Sequence, residues 1–370
     1  MNTDVKGFQD LATEVQKKGI CGKCGGCVAF CSAGEFNALR AGEDGAPVMT
    51  DESKCLHCGI CYLICPQVKV LDQELRQKTG WKPPIGAYRK LVSARAHSRK
   101  VRRVATDGGV VTALLTHALK HHLIQAAIVS RRVGPLSREP MVAMTAEDLI
   151  QAAGSHFEES HHLPKVGEQY TTFSPSVRQV KSLGKRDLTK IALVGTPCQV
   201  FTMKKMQLLR VLPADSIALT IGLFCMESFS FDAGTRRALE KKLSARLGQV
   251  RKLNIKDDIV VTTDRKETVC IPFDVMDEFA RPACFACADF ANEYADISCG
   301  GVGSPDGYTT TVLRTTAGEA LYNRAKQDGA IEELSFRNRE HGRGATTEMM
   351  AKIVAATQRK HARAAARLGA

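Results

Sequence analysis

The sequence has 370 residues, 44% of them hydrophobic and 25% charged, with a formal net charge of +13. This is the composition of an ordinary globular protein. Its longest apolar stretch, residues 217–226, is too short to span a bilayer, and no aromatic residues accompany the basic ones as in a nucleic-acid-binding surface. No secretory signal is visible, so we expect a cytoplasmic protein, free or peripheral on a membrane-bound complex.

Cysteines divide the chain into two regions. Eight of the 14 precede residue 70, and the other six lie between residues 198 and 299. In a chain without an export signal, so many cysteines favour metal or redox chemistry over a disulfide framework. The sequence therefore predicts two iron–sulfur regions.

The first region contains an internal repeat. Residues 21–31 read C-G-K-C-G-G-C-V-A-F-C, and residues 55–65 read C-L-H-C-G-I-C-Y-L-I-C. Both match C-x2-C-x2-C-x3-C, the run of bacterial two-cluster ferredoxins, in which the fourth cysteine ligates the other cluster. Zinc sites usually use separated C-x2-C pairs and fit poorly. We expect a ferredoxin domain at 1–79 whose two [4Fe–4S] clusters are ligated by two groups of thiols: Cys21, Cys24, Cys27 and Cys65, and Cys55, Cys58, Cys61 and Cys31.

A Gly/Pro-bearing linker at 80–87 precedes a body of alternating strands and helices. We divide the body into an N-terminal part at 88–180 and a C-terminal part at 181–340. A short strand is predicted at 91–94, followed by the turn T-D-G-G at 106–109 and a helix with Thr106 or Asp107 as N-cap. A Gly-Gly pair at a helix N-terminus lets a phosphate approach, although such a pair is also common in ordinary turns.

Further strands are predicted at 126–130, 191–194, 217–223 and 295–298, with a helix at 199–209. Three of these strands lead into a cysteine, at Cys198, Cys225 and Cys299. In open α/β sheets, ligands bind outside the carboxyl ends of the strands. We therefore expect these cysteines to face one site.

A third metal site is suggested by the pair Cys284 and Cys287. With Cys198 and Cys225 they supply four thiols, enough for another [4Fe–4S] cluster. A redox dithiol, a zinc site and plain buried cysteines remain open, and Cys299 could replace Cys198. Cys270, in a predicted strand, is interpreted as a core residue.

The last thirty residues, 341–370, predict a basic helical tail. Arg359, Lys360, Arg363 and Arg367 stand among alanines. We interpret this pattern as a solvated, basic helix end.

Five motifs carry a resemblance to a known family. They are D-G-G-V-V-T-A-L-L at 107–115, V-G-T-P-C-Q-V at 194–200, I-G-L-F-C-M-E-S-F at 221–229, R-P-A-C-F-A-C-A-D-F at 281–290 and A-D-I-S-C-G-G-V-G-S-P-D-G at 295–307. With these motifs, residues 88–340 resemble the beta-subunit family of coenzyme F420-reducing hydrogenases and dehydrogenases. The N-terminal double-cluster domain makes the chain most similar to the electron-input subunits of F420H2 dehydrogenases. It departs from relatives at Asp107, often serine there, and at Cys299, commonly not cysteine.

The resemblance implies a fold, cofactors and site residues. The expected fold is an α/β body with strand–loop–helix units around a flavin site, preceded by the two-cluster ferredoxin domain. The implied cofactors are FAD and three [4Fe–4S] clusters, the third held by Cys198, Cys225, Cys284 and Cys287. The implied flavin contacts are Thr106, Asp107, Gly108, Gly109, Thr112, Thr196, Pro197, Gly300, Gly301, Gly303 and Ser304.

The implied function is exchange of a hydride with coenzyme F420, in either direction, and transfer of single electrons through the clusters to a partner subunit or complex. Direct hydride transfer requires no catalytic acid or base, so none is named. Two alternatives stay open: the same architecture with NAD(P)H or ferredoxin as donor, and a flavin-free iron–sulfur adaptor of a hydrogenase or heterodisulfide reductase complex. The sequence lacks a G-x-G-x-x-G between strand and helix, which disfavours a nicotinamide-binding Rossmann domain.

Overall fold

The computed structural model describes residues 5–134, 137–154, 159–160, 170–171, 188–212, 214–231, 233–256, 258–335 and 339–369. The expected boundary at residue 180 between the two parts of the body lies outside these ranges. None of the described helices combines the length and apolar character needed to cross a membrane.

The strands and helices are numbered in chain order. The strands are β1 Leu39–Ala41, β2 Pro47–Met49, β3 Lys90–Ala96, β4 Ala126–Gly134, β5 Ser137–Ala143, β6 Glu159–Ser160, β7 Tyr170–Thr171, β8 Ile191–Gly195, β9 Ile217–Leu223, β10 Ser230–Phe231, β11 Val250–Ile255, β12 Ile259–Thr263, β13 Thr268–Ile271, β14 Ile297–Gly300, β15 Thr309–Leu313 and β16 Ile331–Glu333. The α-helices are α1 Phe8–Leu11, α2 Gly26–Ala33, α3 Ile60–Leu63, α4 Asp72–Thr79, α5 Arg99–Val104, α6 Val110–Lys120, α7 Ala146–Gln151, α8 Pro197–Leu208, α9 Ala233–Leu243, α10 Phe273–Asp277, α11 Thr316–Gln327 and α12 Arg339–Leu368.

The two cysteine runs of the N-terminal region fold alike. Lys23 and His57, at equivalent positions of the repeat, both have positive φ, at 52° and 49°. Gly25 and Gly59, also equivalent, have φ of 80° and 72° and precede α2 and α3. Alternating right- and left-handed residues turn successive backbone N–H groups to one side, which suits an anionic group. The internal repeat predicted from the sequence is thus present in the backbone.

A nine-stranded mixed sheet forms the centre of the body, in the order β16-β3-β15-β14-β9-β8-β4-β5-β6. The pairs β14–β9, β9–β8 and β8–β4 are parallel, so the carboxyl ends of these four strands lie at one edge. Most described residues of these strands are buried, as is usual for parallel strands. The sheet therefore provides the edge at which the sequence predicted a site.

Several predicted boundaries were wrong. Strand β3 spans Lys90–Ala96 rather than 91–94, and α8 begins at Pro197, whose fixed φ suits a first helical position, rather than at 199. Strand β14 spans Ile297–Gly300, so Cys299 lies inside it. The N-cap of α6 is Gly109, at φ 77°, and not Thr106 or Asp107.

The interpretation of Cys270 as a core residue was also wrong. Cys270 lies in β13 as a strand residue, but it is exposed. Strand β13 is the edge of the three-stranded sheet β11-β12-β13, and alternate residues of an edge strand face solvent.

The predicted linker at 80–87 packs against the body. Ile85 is buried, and the buried Arg314 guanidinium donates hydrogen bonds to the carbonyls of Ile85 at 2.8 Å and Ala87 at 3.0 Å. Trp81 Nε1 donates to the carboxylate of Glu293. These contacts connect the cysteine-rich region to the body through an ordered segment.

The C-terminal helix α12 is not the solvated tail that its charges suggested. Its buried positions Met349, Ile353, Thr357, Lys360 and Ala364 recur every three or four residues and form one face. Met349 and Ile353 belong to the apolar core beneath β11 and β12. Lys360 and Arg363 therefore face the body, because they lie on the buried side of the helix.

Candidate functional site

A cavity of about 350 Å³ opens at the carboxyl ends of the parallel strands. All four strands contribute to its wall, β8, β9 and β14 through their carboxyl ends and β4 through its middle, namely Ser130, Gly195, Thr196, Leu223, Cys225, Cys299 and Gly300. Helix α6 begins at the same cavity, with Val110, Val111 and Thr112 in the wall. The strand ends and the N-terminus of this helix thus converge on one space.

Seven of the eleven residues expected to contact a flavin line this cavity: Thr106, Asp107, Gly109, Thr112, Thr196, Gly300 and Gly301. The other four lie beside it. Pro197 is buried at the start of α8, and Ser304 Oγ is hydrogen-bonded to Thr310 Oγ1 at 2.6 Å. Gly303, at φ 94°, abuts Met349 of α12, and Gly108 packs against the backbone of the sheet. These four residues shape the loops and do not form the wall.

Gly108 is required by a close backbone approach. A Cβ at this position would lie 2.6 Å from the Ala94 carbonyl oxygen and 2.8 Å from the Thr309 backbone nitrogen. Its own N–H donates to Thr309 Oγ1 at 2.9 Å, which fixes the turn against β3 and β15. The tight turn before α6 therefore depends on glycine for space.

We expect Gly108→Ala to destabilise the protein by about 1–3 kcal/mol or more, because backbone atoms on two strands must move apart. Urea unfolding measures the change in free energy. Gly344→Ala is the matched control, since it lies in α12 with no atom within 4 Å of the added Cβ and should be neutral or stabilising. Equal losses in the two variants would contradict the packing argument.

Two side chains of the β11 region tie the glycine loops together. Lys256 Nζ donates to the carbonyls of Gly301 at 2.9 Å and Ser304 at 3.0 Å, and lies 3.7 Å from the Asp107 carboxylate. Asn254 Nδ2 donates to Asp107 Oδ1 at 2.8 Å. Burial raises the pKa of Asp107, and the Lys256 cation opposes that rise. Neither Asn254 nor Lys256 was predicted, because no motif marks them and only the fold brings them here.

Several of the N-terminal cysteines lie close enough to affect one another's pKa. Burial raises the pKa of the Cys65 thiol to about 12, and the neighbouring thiols of Cys24 and Cys21 add to the rise. The pKa of Cys61 is raised to about 12 by burial and then by Cys58, Cys55 and Cys31. Cys65 of the second run thus lies near Cys21, Cys24 and Cys27 of the first, and Cys31 of the first run lies near Cys61 of the second. The crossed assignment of these cysteines to two clusters stays a prediction. All of these cysteines are free thiols.

The body cysteines form a third group. The pKa of Cys198 is raised well above its usual value by burial, then by the thiols of Cys287, Cys24 and Cys225. Burial raises the pKa of Cys225 to about 12, with further contributions from Cys284 and Cys287. The structure therefore brings Cys198, Cys225, Cys284 and Cys287 together, and it also places Cys24 of the N-terminal region beside Cys198.

Cys299 is not part of this group. Its thiol lies 4.0 Å from Thr311 Oγ1 on the neighbouring strand, and burial raises its pKa to about 12 without a contribution from another thiol. It lines the cavity wall from inside β14. The structure therefore places Cys198, rather than Cys299, as the fourth member.

Hydrogen-bond donors surround the thiols. The Ser228 backbone N–H donates to Cys284 Sγ at 3.4 Å, and Thr196 Oγ1 lies 3.3 Å from Cys198 Sγ. Thr202 Oγ1 lies 3.7 Å from Cys24 Sγ. Donors to sulfur stabilise thiolates and metal-bound sulfur, so the surroundings suit a metal cluster.

Buried cations stand behind two of the groups. Lys360 is 1% exposed, and its Nζ donates to the carbonyl of Cys225. Lys205 is fully buried and donates to the carbonyl of Cys65 at 3.1 Å, with Asp72 at 3.0 Å as counter-charge. Within the described part of the chain, no carboxylate forms an ion pair with Lys360, and the Asp289 carboxylate raises the pKa of Lys360 without contacting it. A buried cation without a counter-charge in contact is costly, and an anionic cluster on the four thiols would compensate it.

Glu227 connects the cavity to the third group. It lines the cavity two residues after Cys225, and its Oε2 accepts a hydrogen bond from Arg363 at 2.7 Å. Its other oxygen, Oε1, is buried and has no hydrogen-bond partner among the described residues. Burial raises the pKa of Glu227, and Arg363 opposes the rise. An unpaired acceptor in the wall fits a ligand that carries an N–H or O–H donor.

Comparisons with known proteins agree with this architecture. Two family models match, both for the beta subunit of coenzyme F420 hydrogenase/dehydrogenase: the N-terminal model over residues 91–166 and the C-terminal model over residues 188–338. The beta subunit of the coenzyme F420 hydrogenase of Methanosarcina barkeri is 32% identical over 255 residues, which cover 68% of this chain and 83% of that protein.

A further relative is matched over a larger share of the chain. One of the subunits of the F420H2 dehydrogenase of Methanosarcina mazei is 27% identical over 331 residues, covering 86% of each chain. Among solved structures, a chain of the F420-reducing nickel–iron hydrogenase complex from Methanosarcina barkeri is similar with a TM-score of 0.60 at 30% identity. That match covers 74% of this chain and 92% of the other.

Proposed function

This chain belongs to the coenzyme F420 hydrogenase/dehydrogenase beta-subunit family, and from that premise we propose that it is an electron-input oxidoreductase. In this proposal it exchanges a hydride with coenzyme F420 at a bound FAD and passes single electrons through three [4Fe–4S] clusters to a partner subunit or complex. The observation that carries the proposal is the position of Cys225. This residue belongs both to the wall of the cavity and to the group of four body thiols.

The residues of the cavity fit a flavin. The N-terminus of α6 opens into it without a side-chain cap, and such a helix end attracts a diphosphate. The Gly109 and Gly300 backbones allow close approach, and Glu227 Oε1 offers an acceptor for a ring N–H. A flavin bound here would supply the conversion between two-electron hydride chemistry and single-electron transfer.

The three thiol groups stand in an order that suits a relay. Cys225 is at the cavity, Cys198 lies beside Cys24 of the N-terminal region, and Cys58 of the last group is exposed. We assign the body group to the third cluster, the group of Cys21, Cys24, Cys27 and Cys65 to the middle one, and the group of Cys31, Cys55, Cys58 and Cys61 to the exit. A partner would then dock near Cys58.

Anaerobic purification followed by iron, sulfide and flavin analysis tests the cofactor content. About twelve irons and one FAD per chain are expected from three cubane clusters and one flavin. Iron and sulfide without a yellow chromophore would instead identify a flavin-free adaptor.

Stopped-flow bleaching of the flavin tests the donor. Reduced coenzyme F420 should bleach it within the turnover time, whereas NADPH at the same concentration should not. If NADPH bleached the flavin and reduced coenzyme F420 did not, the proposed cofactors would stand and coenzyme F420 would be wrong as the hydride donor.

A further inference from the structure

Two histidines and an aspartate lie together at the end of α6 remote from the cavity. His117 and His121 are one helical turn apart, and their ring centroids are 4.4 Å from each other. Asp328, directly after α11, places Oδ2 2.8 Å from His117 Nε2 and 3.5 Å from His121 Nε2. One ligand atom from each of the three residues lies within 4.8 Å of the other two.

The electrostatic setting of this cluster has contributions of both signs. His121 and Asp328 are the C-cap residues of α6 and α11, so the negative ends of two helix dipoles meet here. Arg324 Nη2 lies 3.5 Å from His121 Nδ1 on the far side of the ring. Desolvation, His117 and Arg324 lower the pKa of His121, and the Asp328 carboxylate opposes that decrease.

Burial differs among the three ligands. The His117 side chain is 3% exposed, that of His121 29% and that of Asp328 42%. His117 Nδ1 has no hydrogen-bond partner among the described residues, so the ring makes its one polar contact through Nε2, toward the cluster. One ligand is therefore held rigidly in the core, and two stand where an ion could enter from solvent.

We propose that His117, His121 and Asp328 form a mononuclear site for a divalent transition-metal ion, of which Zn²⁺ is the representative. Two imidazoles and one carboxylate are ligands that suit this class of ion, and three protein ligands leave a position for water. The ion joins the C-terminal ends of α6 and α11. Because α6 begins in the cavity wall, the ion also fixes the helix that shapes that wall. This site uses none of the cysteines and stands independently of the proposed function.

Equilibrium dialysis of the iron-loaded protein against Zn²⁺, with zinc and iron both counted by mass spectrometry, tests the site. The variants are His121→Ala and Asp328→Asn, both at partly exposed positions, and the control is His122→Asn. His122 is the next residue along and has φ of 54°, a conformation that asparagine tolerates. Wild type and control should bind one zinc per chain at unchanged iron content, and each ligand variant should bind it at least tenfold more weakly.

A second readout is thermal unfolding. Zinc should raise the Tm of wild type and of His122→Asn, but not of the two ligand variants, since a ligand that binds only the folded state stabilises it. The proposal is overturned if all four proteins take up equal amounts of zinc. It is also overturned if wild-type protein with its full iron content takes up no zinc. Zinc uptake accompanied by loss of iron would show exchange at the thiols and would overturn it as well.

Discussion

Replacing Cys198 with alanine is expected to lower the iron content from about twelve to about eight atoms per chain, because in the proposed function it removes one ligand of the body cubane. The two clusters proposed for the N-terminal region should remain, since Cys198 is not among the eight cysteines assigned to them. Flavin bleaching by the hydride donor should persist, while electron delivery to an external acceptor should fall at least a hundredfold. Iron analysis, electron paramagnetic resonance and steady-state assays measure the three effects.

Two other cysteines provide controls for this experiment. Cys299→Ser keeps a buried polar side chain next to Thr311, and Cys270→Ser changes an exposed position on an edge strand. Both variants should retain about twelve irons per chain. Full iron in Cys198→Ala together with loss in Cys299→Ser would show that Cys299 is the fourth ligand and that the grouping derived from the structure is wrong.

Replacing Lys360 with methionine is expected to lower the reduction potential of the body cluster. Reduction adds a negative charge to the cluster, and the buried Lys360 cation, bound to the Cys225 carbonyl, stabilises that charge. A unit charge about 8 Å away in a medium of effective dielectric constant about 20 contributes roughly 2 kcal/mol. For a one-electron couple this corresponds to a decrease on the order of 50–100 mV.

A redox titration followed by electron paramagnetic resonance measures the potential, and two further variants serve as controls. Lys360→Arg keeps the charge and should restore most of the potential. Lys205→Met removes a buried cation bound to the Cys65 carbonyl, so it should affect an N-terminal cluster and leave the body cluster unchanged. An unchanged potential in Lys360→Met, with cluster content intact, would show that the charge is screened from the cluster.

The sheet edge that carries the cavity was predictable, because each strand end is marked by residues that are neighbours in the sequence. Apolar runs that lead into Cys198, Cys225 and Cys299 predicted the strand ends, and parallel pairing brought the ends of these three strands to one cavity. The contacts from β11 were not predictable. Asn254 and Lys256 reach the loops of Asp107 and Gly301 only through packing of a separate three-stranded sheet, which no spacing in the sequence encodes.

The charge pattern of the C-terminal helix gave the wrong prediction of a solvated tail for a related reason. Lys360 and Arg363 look like members of a solvated basic stretch, since neighbouring residues carry the same charge. Their helical phase places them on the buried side, where Arg363 binds Glu227 and Asp277 at 2.7 and 2.8 Å. Composition alone does not reveal which side of a helix meets the body.

The sequence by itself determined the family and the repeated backbone conformation of the two cysteine runs. Cysteines within one run are separated by two or three residues, so the loop geometry follows from the spacing and its left-handed positions, including Gly25 and Gly59. Only the tertiary structure decided which distant groups meet. Cys24 lies beside Cys198, and Lys360 reaches Cys225, because long-range packing brings together parts of the chain whose separation carries no local signal.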